Sequence, residues 1–119
     1  MAKKARLAVE ADFSNIEISP GEVKDRLARE EQFLFIDVRE PWEYETAHIQ
    51  GARLIPMREI PEHVGEFEDS NDIILFCHHG MRSLDAASWL RSQGIEGARS
   101  MAGGIDRWSV EVDSQVPRY

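Results

Sequence analysis

A chain of 119 residues has room for one compact domain, and at that size a single core suffices without a metal or disulfide staple. The net charge of −8 excludes a general nucleic-acid binder, because phosphate contacts need concentrated Lys and Arg. A single cysteine excludes an internal bridge. The basic start, Met1 to Arg6, soon meets Glu10 and Asp12 and does not read as a signal peptide, and no run approaches the roughly 18 apolar residues of a membrane span, so a cytoplasmic address with no membrane partner is expected.

Along the chain, residues 1–15 form an N-terminal segment, 16–109 the domain and 110–119 a tail. Ile16-Glu17-Ile18 predicts a short strand. Ser19-Pro20-Gly21-Glu22 predicts a helix start, with Ser19 as cap, Pro20 in the first turn and Glu22 placed to close a capping box; Val23 and Leu27 then share a face to about Arg29. Phe33 to Val38 is a nearly continuous apolar run, the pattern of a strand covered on both faces. Pro41 to Tyr44 begins a helical turn, Gly51 to Pro56 reads as a strand, and Arg58 to Phe67 contains a short helix. Asp72 to Phe76 is a second buried strand that delivers the chain to Cys77.

Ser83 to Arg91 has helical character, with Leu84, Ala87 and Leu90 on one side and Gly94 as a stop. Gly97 to Met101 predicts the last strand, and Gly103-Gly104 opens a short helix with Ile105 and Trp108. Strands alternating with helices imply an α/β fold: a mostly parallel central sheet of about five strands with helices on both faces.

The chemistry concentrates in Cys77-His78-His79-Gly80-Met81-Arg82-Ser83, a loop beyond the carboxyl end of a strand, where α/β sheets place their sites. Its amides, with the free N–H groups of the following helix, can point at a negatively charged sulfur or oxyanion. A helix amino end and a nearby guanidinium favour thiolate, making Cys77 a candidate nucleophile; a lone cysteine after a strand is otherwise commonly a small core residue. Gly80 supplies the turn. Arg82 either reaches a substrate anion or braces loop carbonyls, and Ser83 either caps the helix or donates to the sulfur. Arg82 and Arg91 near Cys77 contrast with the acidic run from Glu59 to Asp72 and favour anions there.

This loop resembles the active-site loop of the rhodanese-like sulfurtransferases. Leu34 to Glu40 with Trp42-Glu43-Tyr44, His48 to Ala52 running to Pro56, and Met101 to Trp108 resemble the same family and follow its order. The ending, Trp108 to Asp113 and Val116 to Tyr119, is similar to the rhodanese domain of ubiquitin-activating-like adenylyltransferase/sulfurtransferase proteins, here expected as a single domain. The resemblance implies a rhodanese-like fold and a persulfide cycle. A small sulfur donor such as thiosulfate loads Cys77, and cyanide, an acceptor thiol or a sulfur-carrier protein unloads it, with no cofactor and with Arg82 orienting the donor. A relay or regulatory module acting on one protein partner is the alternative. Phosphatases of similar fold carry five residues between Cys and Arg, where this chain has four, and arsenate reduction remains a further alternative.

Asp37 and Arg39 end a buried strand and read as a brace, with Arg39 pairing with Glu43 or another carboxylate. His48 is expected to hydrogen-bond a loop and position a turn. A metal site is not expected among His48, His63, His78 and His79, since the adjacent side chains of His78 and His79 should diverge. His78 and His79 are expected to be exposed and able to carry charge at mildly acidic pH. Met81 is either an apolar lip or packing under the loop, and Trp42 and Trp108 are core or rim aromatics.

Overall fold

Alternating side chains on the most buried strand explain the layering. In the computed structural model, which describes residues 12–119, Ile73, Leu75 and Cys77 enter one hydrophobic cluster while Ile74 and Phe76 enter another. A strand whose two faces are both buried forces a layer of helices on each side. The first cluster gathers Ile60, Phe67, Ala86, Ala87 and Leu90. The second gathers Val23, Ile105, Trp108 and Val116. Each fully buried Ile, Leu or Phe contributes about 1.5–3 kcal/mol, so both clusters are needed to hold the sheet.

The strands are β1 (Glu17–Ile18), β2 (Leu34–Asp37), β3 (Arg53–Leu54), β4 (Ile73–Phe76) and β5 (Ala98–Met101). They form one sheet in the order β1-β5-β4-β2-β3, with every neighbouring pair parallel. The helices are α1 (Pro20–Ala28), α2 (Pro41–Thr46), α3 (Val64–Ser70), α4 (Met81–Ser92) and α5 (Gly104–Glu111), with a 3₁₀ segment at Met57–His63. The α/β sheet of five strands thus has the expected form.

Local signals are realised at α1, where Ser19 Oγ accepts from Glu22 N at 3.2 Å and the Glu22 carboxylate accepts from Ser19 N at 3.3 Å. Two elements differ from expectation. The strand read over Gly51 to Pro56 shrinks to Arg53–Leu54, because it lies at the sheet edge and pairs only with β2. The stretch from Arg58 to Phe67, expected to contain a short helix, holds most of a 3₁₀ segment and the start of α3, since Pro61 inside Met57–His63 removes a donor that an α-helix would need. Of the N-terminal segment, residues 1–11 lie outside the described residues. Among the described residues, no helix is long and apolar enough to cross a membrane.

Candidate active site

β4 ends at Phe76, and the next residue is the chain's single cysteine. Gly80 then adopts φ +104° as the residue before α4, a conformation that glycine takes without penalty. This turn aims the Gly80 N–H at Cys77 Sγ, 3.1 Å away. From the first turn of α4, the Ser83 N–H and hydroxyl donate to the same sulfur at 3.4 and 3.5 Å. Of the two roles open to Ser83, the contact with sulfur is the one present. Gly80, not Ser83, holds the cap position, and Ser83 Oγ also bonds Ser100 Oγ at 2.7 Å.

The loop is tied from behind by α5. Ile105 N–H donates to the Cys77 carbonyl at 2.9 Å and Asp106 N–H to the His78 carbonyl at 3.1 Å, so amides that a helix start leaves unpaired are satisfied by the loop. A side chain at Gly104, φ +62°, would collide with the carbonyl oxygens of Cys77 and His78. This close approach of Gly104 to the loop carbonyls fixes the backbone that carries the sulfur.

Arg82 differs from both sequence readings. Its guanidinium makes a bidentate pair with the Glu43 carboxylate, 2.8 and 2.9 Å, instead of standing free for an anion or bonding loop carbonyls. Glu43 is buried and also accepts from Glu40 N–H at 3.0 Å and from the Tyr119 hydroxyl at 2.8 Å. Arg82 chiefly, with the Glu40 amide and Tyr119, holds the Glu43 carboxyl down at about 2 despite its burial. Arg91 is likewise engaged, its guanidinium donating to the carbonyls of Ala98, Asp12, Ser14 and Asn15. The groups that touch the Cys77 sulfur are thus backbone and hydroxyl dipoles, while Arg82, paired with Glu43, acts on it only through its charge.

Asp37 and Arg39 form the expected brace, fully buried. Arg39 Nε and Nη2 donate to the two Asp37 oxygens at 2.8 and 2.7 Å. Arg39 meets Glu43 only through its backbone carbonyl, at 3.2 Å, and adds the Ala47 carbonyl and the Tyr119 hydroxyl. Its carboxylate partner is therefore Asp37. Such saturation is what a buried charged pair requires.

His78 and His79 do not diverge; their rings stack 3.9 Å apart, because Tyr119 lies parallel on the other face of His78 at 3.9 Å and 6°. His79 is exposed, whereas His78 is partly covered. Burial first, and His79 second, push the His78 imidazole below its usual value, so the charge expected there at mildly acidic pH is disfavoured. His78, His79 and Asp106 offer ligand atoms within 4.8 Å of one another. Near-parallel rings aim their lone pairs side by side instead of at one point, and Arg118 grips Asp106 at 2.8 and 3.1 Å, an arrangement that does not suit a tetrahedral ion.

Met81 is 72 % exposed and Trp42 63 %; Met81 is a lip and Trp42 a rim residue, while Trp108 is core. His48 is exposed and stacks on Tyr44 at 4.6 Å. It borders a cavity of about 400 Å³ with Trp108, Asp113 and Val116, none of them in the Cys77 loop, so it is not gathered to the sulfur. Sequence reasoning missed Glu43 as the partner of Arg82, and Tyr119. Neither residue carries a local signal of these partners, which lie 39 and 76 residues apart along the chain.

The sequence and the fold have parallels among known proteins. Residues 19–111 match the model of the rhodanese-like domain. The chain is 36 % identical over 88 residues to the rhodanese-like/PpiC domain-containing protein 12 of Arabidopsis thaliana, covering 71 % of this chain and 29 % of that protein. It is 36 % identical over 92 residues to the thiosulfate sulfurtransferase GlpE of Pseudoalteromonas translucida, covering 77 % and 88 %. To the probable adenylyltransferase/sulfurtransferase MoeZ of Mycobacterium tuberculosis it is 32 % identical over 104 residues, which is 86 % of this chain but 26 % of that protein. Among solved structures, the human single domain sulfurtransferase TSTD1 superposes with a TM-score of 0.72 at 27 % identity, covering 82 % of this chain and 98 % of that one. On the sequence, the sheet order and the cysteine loop together, the chain belongs to the rhodanese-like family.

Proposed function

We propose that Cys77 carries a sulfur atom between a donor and an acceptor, held as a persulfide by the loop. The reaction is rhodanese-type sulfur transfer in two displacements. The Cys77 thiolate attacks the outer sulfur of thiosulfate, the S–S bond of the donor breaks, and sulfite leaves with the electron pair. An acceptor thiolate or cyanide then attacks the outer sulfur of the persulfide, and the Cys77 thiolate departs unchanged.

The observation that carries this reading is the convergence of three donors, Gly80 N–H, Ser83 N–H and Ser83 Oγ, on the sulfur of the chain's single cysteine. Donors fixed before the reaction stabilise negative charge on sulfur without reorganising. Arg82 is engaged by Glu43 and does not stand ready to clamp a phosphoryl group, which disfavours phosphatase chemistry. The exposed Met81 and Trp42 favour a second use of the same chemistry, relay to a sulfur-carrier protein that covers apolar surface. A lone free thiol suits the reducing cytoplasm.

Incubation with thiosulfate followed by intact-mass measurement is expected to show one added sulfur on the protein and none on Cys77→Ser. Absence of the adduct with thiosulfate and with low-molecular-weight persulfides overturns the proposal. Faster unloading by one carrier protein than by cyanide at equal concentration marks relay as the main use.

A further inference from the structure

Residues 110–119, read from the sequence as a tail, do not hang free. Ser109 Oγ donates to the Val116 carbonyl at 2.5 Å, the Val116 side chain is buried in the second core cluster, and Arg118 pairs with Asp106 on α5. These three attachments bring Tyr119 to the one place where three walls of the site meet. Its hydroxyl accepts from Arg39 Nη1, just past β2, and donates to Glu43 Oε2 on α2, each at 2.8 Å. Its ring lies flat on His78, the residue next to Cys77, and takes the edge of Trp42 at 6.1 Å.

We propose that Tyr119 is a positioning residue of the Cys77 site: its ring holds His78 in place within the loop, and its hydroxyl ties that stack to Glu43 and through it to Arg82. The functional meaning rests on the sulfur-transfer reading above; the geometry does not. Burial holds the Tyr119 hydroxyl protonated, with its titration pushed up to about 12, so it remains the donor that Glu43 requires across the working pH range. The ring covers one face of His78 while His79 covers the other. The charged or titratable groups that His78 feels are His79 in its own loop, Glu43 on α2 and Asp106 on α5, while the Tyr119 main chain hydrogen-bonds it and favours its protonated form. Removing the ring opens one face of His78 to water. The imidazole then accepts a proton more readily and loses its fixed orientation beside the sulfur.

Two variants separate the ring from the hydroxyl. With thiosulfate and cyanide as substrates, Tyr119→Ala is expected to lower kcat roughly tenfold with KM changed less than about threefold, as loss of orientation does. The His78 titration midpoint, followed by NMR, is expected to move to higher pH. Tyr119→Phe keeps the stack and is expected to leave that midpoint where it is in the unaltered protein, with kcat lowered about threefold through loss of the Glu43 and Arg39 bonds. If Tyr119→Ala leaves either kcat or the His78 midpoint unmoved, the assignment is overturned. Should Tyr119→Ala melt below the assay temperature, Tyr119→Leu, which has bulk but no flat face, is read by the same two measurements. If the unaltered protein shows no turnover at all, the sulfur-transfer reading fails, and the His78 midpoint alone decides for or against the stack.

Discussion

Strands β2 and β4 run side by side with Asp37 opposite Phe76, yet the chain beyond each end answers opposite demands. Beyond β4, Cys77 Sγ meets three uncharged donors at 3.1–3.5 Å. Beyond β2, Asp37 and Arg39 close on each other at 2.7–2.8 Å, and Arg39 fills its remaining donors with carbonyls and the Tyr119 hydroxyl. Loose, neutral hydrogen bonds leave a sulfur able to gain and lose a substituent. A saturated ion pair in the interior can do neither without leaving a bare charge. The first arrangement suits chemistry and the second suits support, although both lie at the carboxyl ends of neighbouring parallel strands.

The sharpest way to break this comparison is to remove the atom that each end holds. Cys77→Ser is expected to abolish sulfur transfer in a thiosulfate–cyanide assay while the thermal midpoint stays within a few degrees, since only the sulfur is exchanged. Arg39→Ala should do the reverse. Denaturant titration is expected to show a loss of about 3–5 kcal/mol, because Asp37 is left buried and unpaired, and any fall in activity should track the unfolded fraction. An Arg39 variant of full stability and no activity would move that residue from support to chemistry.

Acid tests the link between the two ends. Glu43 is held at about 2 in the folded chain, chiefly by Arg82, against an ordinary glutamate value near 4.3 in the unfolded one. The unfolded state therefore binds the proton first, and stability that is complete above the ordinary value declines as pH falls toward 2. The contribution reaches about 3 kcal/mol. Glu43→Gln is expected to flatten that decline in unfolding curves measured between neutral pH and acid; an unchanged slope would show that the pair with Arg82 is not formed in solution.

Smaller effects refine the comparison. Ser83→Ala removes one of the three donors to sulfur and the bond to Ser100; a loss of about 1 kcal/mol in stability and a severalfold fall in kcat are expected, with persulfide loading still detectable by mass. Arg58→Ala, which breaks an exposed pair with Glu40, should leave the unfolding midpoint within the error of measurement, since solvent screens such a pair, and leave kcat alone. A larger response there would extend the supporting network to the surface.

Much of this was legible in the residues because the signals were local. Apolar runs gave β2 and β4, the Ser19–Glu22 box marked the start of α1, and the order cysteine, glycine, serine before a helix located the sulfur. What stayed hidden depends on distance along the chain. Glu43 meets Arg82 across 39 residues and Tyr119 across 76, and nothing in the neighbourhood of either marks such a partner. The pairing of Arg82 stayed hidden for that reason: a guanidinium beside a cysteine looks free until a carboxylate from another helix is placed on it. The stacking of His78 on His79 was missed in the same way, since Tyr119 is what holds the rings flat.

The position of β4 has a consequence for how the protein opens. It is the middle strand of five, flanked by β5 and β2, so its amide protons should exchange with deuterium only when most of the molecule comes apart. Tyr119, by contrast, is attached by a few side-chain bonds near the surface. On warming, the segment that carries it should exchange first, so His78 would lose its stacked ring while the anchorage of the neighbouring thiol still held.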